Sequence, residues 1–295
     1  MRRTRTGKRL ELTTRDLEIF RALARYRYLS STYIHAFVGG ASETRFKERL
    51  GDLFHEGYLD RPAQQWQFAG ALYRPTIYEA GDDARRVLCD QGGNDSCTFL
   101  APTAHRQFAH SMMICEVLAS LEINARHDPS LRFIGWPEML ARAPEGARAS
   151  ATPFRMPLPN GGGVVPDGMF GLEYDNGGNK TYRFFALEAD RGTMALSRSD
   201  GGQTSYLGKI AAYRDLLAHQ VHKIALGIPN LLVLTITTSE PRMREVMRQM
   251  EGQADSSAPF LFKTAGPSDL RLPAPGLLSD PWDRAGLPAL RIGFC

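Results

Sequence analysis

The chain has 295 residues, 43% hydrophobic and 23% charged, with a formal net charge of +4. That length suits two domains rather than one, and that composition is a globular one rather than a disordered one. No run of about 18 apolar residues exists to span a bilayer, which predicts no membrane association.

Charge is unevenly placed. Residues 1–61 hold 13 Lys and Arg against 8 Asp and Glu, an excess of +5, so the remainder is close to −1. Basic residues concentrated in one segment are the electrostatic footprint expected of a phosphate-contacting surface. The N-terminus is basic, but Lys8, Arg9 and Glu11 stand where a signal peptide needs an apolar stretch. Cys89, Cys97, Cys115 and Cys295 form no CxxC pair and no zinc spacing, so four reduced thiols and a cytoplasmic location are expected.

In chain order, Thr13 and Thr14 precede a helix with Leu17, Phe20, Leu23 and Ala24 at three- and four-residue steps. Asp16 and Glu18 sit in its first turn, where the helix dipole favours them. Ser30 or Ser31 caps a short second helix that Gly39 and Gly40 stop. Ser42 begins a third, whose apolar face is Phe46, Leu50, Leu53 and Phe54. Strands are expected at Tyr58–Arg61 and Tyr73–Tyr78, and a closing helix at Asp82–Leu88.

Three short helices followed by a hairpin resemble a winged helix-turn-helix, and TRFKERLGDLFHEGYLDR resembles its third helix and wing. Burying Phe46, Leu50 and Phe54 leaves Thr44, Arg45, Lys47, Glu48 and Arg49 for the major groove of double-stranded DNA. Arg61 and Arg74 flank the expected wing as phosphate contacts.

The second half opens with a long helix over 103–127, ended by Asp128-Pro129, then a strand at Leu131–Trp136 and an Ala-, Pro- and Gly-rich excursion over 141–162. Two strand-like segments follow, GGGVVPDGMFGLEYD and KTYRFFALEADRGT, joined by the turn signal Asn176-Gly177-Gly178-Asn179. A hairpin folded about Gly177–Gly178 sets Asp167 opposite Glu188, and alternation sends Glu188 and Asp190 to one face. Three converging carboxylates suit a hard divalent cation, Mg2+ or Mn2+. A helix over 203–220 carries Lys209 and Tyr213 four apart on one face. A strand at Leu231–Ile236, a helix capped by Ser239 and a strand at Phe260–Phe262 complete the order. His219 and His222 are expected as surface residues, and Glu116 or Glu122, with Glu116 preferred, is a candidate extra carboxylate on the long helix.

This order resembles the PD-(D/E)xK nuclease fold, the resemblance resting on Pro166-Asp167 and on Glu188-x-Asp190. It implies Asp167 and Glu188 as metal ligands, the Ala189 carbonyl as a third, and Lys209 in place of the catalytic Lys that Asp190 displaces. Taken whole, the chain resembles the replication-relaxation family of plasmid and mobile-element proteins. The segments that carry the likeness are TTRDLEIFRALARYRYLSS, RLGDLFHEGYL, YEAGDDARRVL, HRQFAH, PDGMF, ALEADRGT and LLVLTITT. The resemblance implies an α/β (α+β) chain with a winged helix over 1–95, a nuclease-like domain over 96–270 and a tail over 271–295. Metal-dependent DNA nicking is one implied activity. The alternative is a non-catalytic regulator or accessory factor whose nuclease-like domain serves dimerisation or partner binding. Candidate partners are duplex DNA, a relaxase or a replication initiator, and a second copy of the chain.

Overall fold

The computed structural model describes residues 3–40, 42–68, 70–91, 108–159, 161–192, 205–251 and 257–293. The chain combines helices and sheets, as the α/β expectation requires, and divides into two compact units. The first takes in residues up to Ile123 together with Arg271–Pro273, and the second takes in Asn124–Leu270 and Ala274 onward.

In the first unit, α1 (Thr14–Tyr26) starts on a capping box, in which the Thr13 hydroxyl and the Asp16 carboxylate each receive the other's backbone N–H. Helices α2 (Ser31–Val38) and α3 (Glu43–His55) follow, the latter capped by Ser42. The expected apolar faces are the buried ones: Phe20 and Leu23 on α1, and Phe46, Leu50, Leu53 and Phe54 on α3. Among the described residues, β1 (Leu29–Ser30), β2 (Leu59–Asp60) and β3 (Ile77–Ala80) form a small antiparallel sheet with β3 central. Helix α4 (Asp82–Asp90) closes this part.

The connection from β2 to β3 differs from the expected hairpin. Residues Ala63–Gln67 and Ala71–Tyr73 are 3-10 turns, and the returning strand begins at Ile77 instead of Tyr73. The Gln65 side chain engages the first residue of that strand. Its amide accepts from Ile77 N at 2.9 Å and donates to Ile77 O at 3.1 Å, supplying the two ladder bonds a strand would have made. Helix α5 (Phe108–Ala125) belongs to this unit as far as Ile123. Cys115 Sγ donates to Tyr26 O at 2.6 Å and Ser120 Oγ lies 2.9 Å from Tyr33 Oη. The start of the expected long helix, residues 103–107, lies outside the described residues.

The second unit is built on a seven-stranded sheet among the described residues. Its strands are β4 (Leu131–Ile134), β7 (Gly168–Asn176), β8 (Asn179–Asp190), β9 (Leu232–Thr237), β10 (Phe260–Thr264), β11 (Trp282–Arg284) and β12 (Leu287–Leu290). Their order is β12-β11-β10-β9-β8-β7-β4. The central three strands are parallel, and the flanking pairs are antiparallel. Short helices α6 (Trp136–Arg142) and α7 (Glu145–Arg148) and the small ladder of β5 (Met156–Pro157) with β6 (Gly163–Val164) occupy the Ala- and Pro-rich stretch. Helices α8 (Tyr206–Ala218) and α9 (Val221–Leu226) link β8 to β9, and α10 (Glu240–Met250) links β9 to β10. Residues 276–290 add α11 (Gly276–Ser279) and the last two strands, where the sequence suggested a tail. Runs of three and four residues broken by Gly286 and Pro288 are too short to announce strands.

The core on the helix-covered face draws Ala186 and Val233 from β8 and β9, Phe260 and Phe262 from β10, Tyr206, Ile210, Tyr213 and Leu216 from α8, and Met243 and Val246 from α10. Cys89 is disulfide-bonded, which corrects the expectation of four reduced thiols. The buried Cys115 is a free thiol, and burial pushes its pKa up to about 12.

Candidate functional site

The hairpin has the register its turn predicts. Asn176 pairs with Asn179 and Gly168 with Leu187, which sets Asp167, one residue before the strand, opposite Glu188. Asp167 stays there through its own side chain, since Oδ2 accepts the Ala189 N–H at 2.9 Å. Alternation along β8 places Phe185, Leu187 and Ala189 on one face and Ala186, Glu188 and Asp190 on the other. The latter row continues onto β9, where Thr235 and Thr237 pair with Glu188 and Asp190. All four of these polar side chains are buried.

Helix α8 supplies the partners. Ser205 caps it by accepting from Gly208 N at 3.1 Å, and the inward stripe Tyr206, Ile210, Tyr213, Leu216 seats it on the sheet. Lys209 Nζ donates to Glu188 Oε2, and Tyr213 Oη donates to Glu188 Oε1 at 2.5 Å. Tyr206 Oη donates to Thr235 Oγ1 at 2.6 Å. The Glu188 carboxylate is 4% exposed, yet both its oxygens are satisfied, as a buried carboxylate requires.

Electrostatics follow from this packing. Burial, together with the neighbouring Asp167 charge, pushes the Glu188 carboxyl up to about 8 against the opposing pull of Lys209 and Tyr213. For Lys209, burial favours the neutral amine, but Glu188 and Asp167 outweigh it and raise the pKa. Tyr213 is raised well above its ordinary value by burial and then by Glu188. Asp167, Glu188, Lys209 and Tyr213 are therefore one electrostatically coupled group.

Asp190 stands apart from it. Arg242, from α10, pairs with its Oδ2, and Gly192 N donates to its Oδ1 at 2.9 Å. The expected convergence of three carboxylates is thus reduced to a pair, Asp167 and Glu188. An arginine already supplies the positive charge that Asp190 would have sought from a metal. Among the described residues, no group of three or more His, Cys, Asp or Glu side chains is placed to hold a metal ion. Asp167 and Glu188 remain a hard-oxygen pair of the kind that holds one divalent cation when main chain or solvent completes the shell. His219 lies 3.0 Å from Asp215, one turn back, whereas His222 is buried rather than at the surface.

In the first unit, Thr44 and Arg45 project from α3 into solvent. Lys47 is exposed and pairs with Glu43 one turn earlier at 2.6 Å. Arg49 is turned inward: Nη2 lies 2.6 Å from Asp16 Oδ2 and donates to Glu11 O at 2.7 Å. It is not available for the groove, which corrects its place in the expected free face. Arg61 Cζ sits 4.1 Å from the Phe54 ring centroid and 5.2 Å from that of Tyr78, and Arg74 Cζ sits 5.4 Å from that of Phe68. Leu72 and Tyr73 are 85% and 91% exposed in the connection before Arg74. On α5, Glu122 is held by Arg25 and Tyr26, and burial raises Glu116 to about 8.

Two contacts of the candidate site escaped sequence reasoning. The Lys209–Tyr213 spacing did put both on one face, but nothing in it said that both reach the same carboxylate. Arg242 lies 52 residues beyond Asp190, and a long-range ion pair leaves no local pattern.

A family model described as replication-relaxation matches residues 20–231, from within α1 to the residue before β9. The chain belongs to the replication-relaxation family. Membership supports a role in plasmid or mobile-element replication or relaxation. No curated protein matches the chain, and no solved structure does. Among the described residues, no helix is long and apolar enough to cross a membrane.

Proposed function

We propose that this chain is a DNA-binding factor of replication or relaxation, with a phosphodiester-engaging site at Asp167, Glu188 and Lys209. The first unit is read as a winged helix that docks duplex DNA through Thr44, Arg45 and Lys47 of α3, and the second as a PD-(D/E)xK-like domain. The observation that carries this reading is the coupled group itself, in which Lys209 from α8 meets Glu188 on β8 beside Asp167.

Each residue has a task that follows from its surroundings. Asp167, fixed by the Ala189 N–H, and Glu188 present carboxylate oxygens that would hold Mg2+ or Mn2+. When bound, such a cation would polarise a phosphodiester and favour its attack by water. Lys209 is three-quarters buried at the group, and its ammonium is placed to neutralise charge developing on a phosphate oxygen. Tyr213 fixes the Glu188 carboxylate by holding Oε1. Asp190 serves β8 and α10 through Arg242 and takes no part in the chemistry.

A second reading is favoured by a specific observation. Both Glu188 oxygens already have protein partners, so Lys209 could stand permanently where a cation would sit and leave a non-catalytic DNA-binding factor. Supercoiled plasmid incubated with the purified chain and Mg2+ or Mn2+ separates the two. The first reading expects open circles from wild type and at least a hundredfold less from Asp167→Ala or Lys209→Ala. Absence of nicking in wild type, or nicking that survives both substitutions, leaves the non-catalytic reading standing.

A further inference from the structure

Residues 3–11 contribute no helix or strand, yet they lie in a fixed course along α3, in the opposite direction to it. Arg3 donates from Nε to Phe54 O at 3.0 Å and from Nη2 to Leu59 O at 2.8 Å, and it pairs with Asp60. Thr4 meets His55, and Thr6 donates to Glu56 from N at 3.0 Å and from Oγ1 at 2.6 Å. Arg5 reaches Asp83 at 3.3 Å, and Lys8 reaches Asp52 at 2.6 Å. Glu11 O accepts from Arg49.

Two features of this strap are informative. First, Arg3 and Lys8 are matched with Asp60 and Asp52, Arg5 shares Asp83 with Arg86 of α4, and Arg9 is exposed with them. Without those cations a row of carboxylates would flank the very helix read as the DNA docking element, and duplex DNA would be repelled. Second, Arg45, Arg49, Asp52 and Glu56 fall on one line of α3 at steps of four, three and four residues. The strap covers that line from Arg49 onward, and exposed Arg45 continues it. The basic track of the strap and the basic end of the helix are therefore collinear.

The Arg5 and Lys8 side chains are 67% and 56% exposed, so their pairs are solvent-screened and weakly held. The Arg3 contacts to two backbone carbonyls are part-buried and anchor the strap. We propose that residues 5–9 form a second DNA-backbone site, in which the exposed Arg5, Lys8 and Arg9 side chains reach phosphates when duplex docks on α3, Arg5 and Lys8 doing so from beside Asp83 and Asp52. This inference rests on the DNA-docking reading of α3 and extends its footprint by one phosphate track.

The test is a salt titration of full-length chain with a fluorescent duplex, comparing wild type with the triple variant Arg5→Gln, Lys8→Gln, Arg9→Gln. Each phosphate contact contributes about 0.9 to the slope of log affinity against log salt. The variant is expected to lose about 2–3 of that slope and at least tenfold in affinity at low salt. Its melting temperature should stay within about 2 °C of wild type, because the pairs removed are exposed. An unchanged slope in a variant that still folds overturns the strap while leaving DNA docking intact. A gain in affinity overturns it too, because the strap would then be a shield over α3. A wild type that binds no duplex at low salt overturns both the strap and the reading it rests on.

Discussion

Glu188 is the buried centre of the group it forms with Asp167, Lys209 and Tyr213. Its carboxyl is raised to about 8, chiefly by burial and then by Asp167, so the folded chain binds a proton there more tightly than the unfolded chain. The resulting stabilisation is complete below the unfolded carboxyl pKa, near 4.5, and is lost as pH rises through about 8. Glu188→Gln keeps the shape of the protonated acid without its titration. The stability of wild type relative to this variant should fall steadily from pH 5 to pH 8, read as the difference in melting temperature. A difference that is flat with pH would mean that Glu188 is a settled carboxylate on Lys209, with no proton to lose.

At the scale of elements, α1 and α3 are clamped by one buried pair. Asp16 is 1% exposed, and it both completes the capping box of α1 and receives Arg49 of α3. Burial alone would raise its pKa, but the hydrogen bonds from Arg49 and Thr13 prevail and hold it below the usual carboxylate value. Arg49→Ala leaves that carboxylate with only its Thr13 hydrogen bonds and should cost about 1–3 kcal/mol, measurable by urea denaturation. A variant as stable as wild type would show that Arg49 belongs to the solvent-facing set after all. The sequence signals that succeeded were local: the Thr13 and Ser42 caps, the three-and-four spacing of Phe46, Leu50, Leu53 and Phe54, and the Asn-Gly-Gly-Asn turn that fixed the hairpin register. Those that failed depended on partners far along the chain. Arg49 read as a groove-facing charge and Asp190 as a metal ligand until Asp16 and Arg242 met them. The returning strand starts only at Ile77, where the Gln65 side chain takes both backbone groups of that residue. The last two strands were too short to register as a pattern.

For the whole molecule, the family places the chain in replication or relaxation, and the proposed mechanism divides the work between docking on DNA and engaging its backbone. In that proposal docking comes first, since the buried group of the second unit would act on a phosphodiester only with duplex held by the chain. The exposed end of α3 is where that claim is most open to refutation, because Arg45 and Lys47 are solvent-facing and their removal should not disturb the fold. The most direct measurement is the affinity of full-length chain for duplex DNA at low salt, wild type against Arg45→Ala, Lys47→Ala, with melting temperatures in parallel. The account predicts that wild type binds and that the double variant loses at least tenfold in affinity at an unchanged melting temperature. Equal affinity in the two, or no binding by wild type, would contradict it.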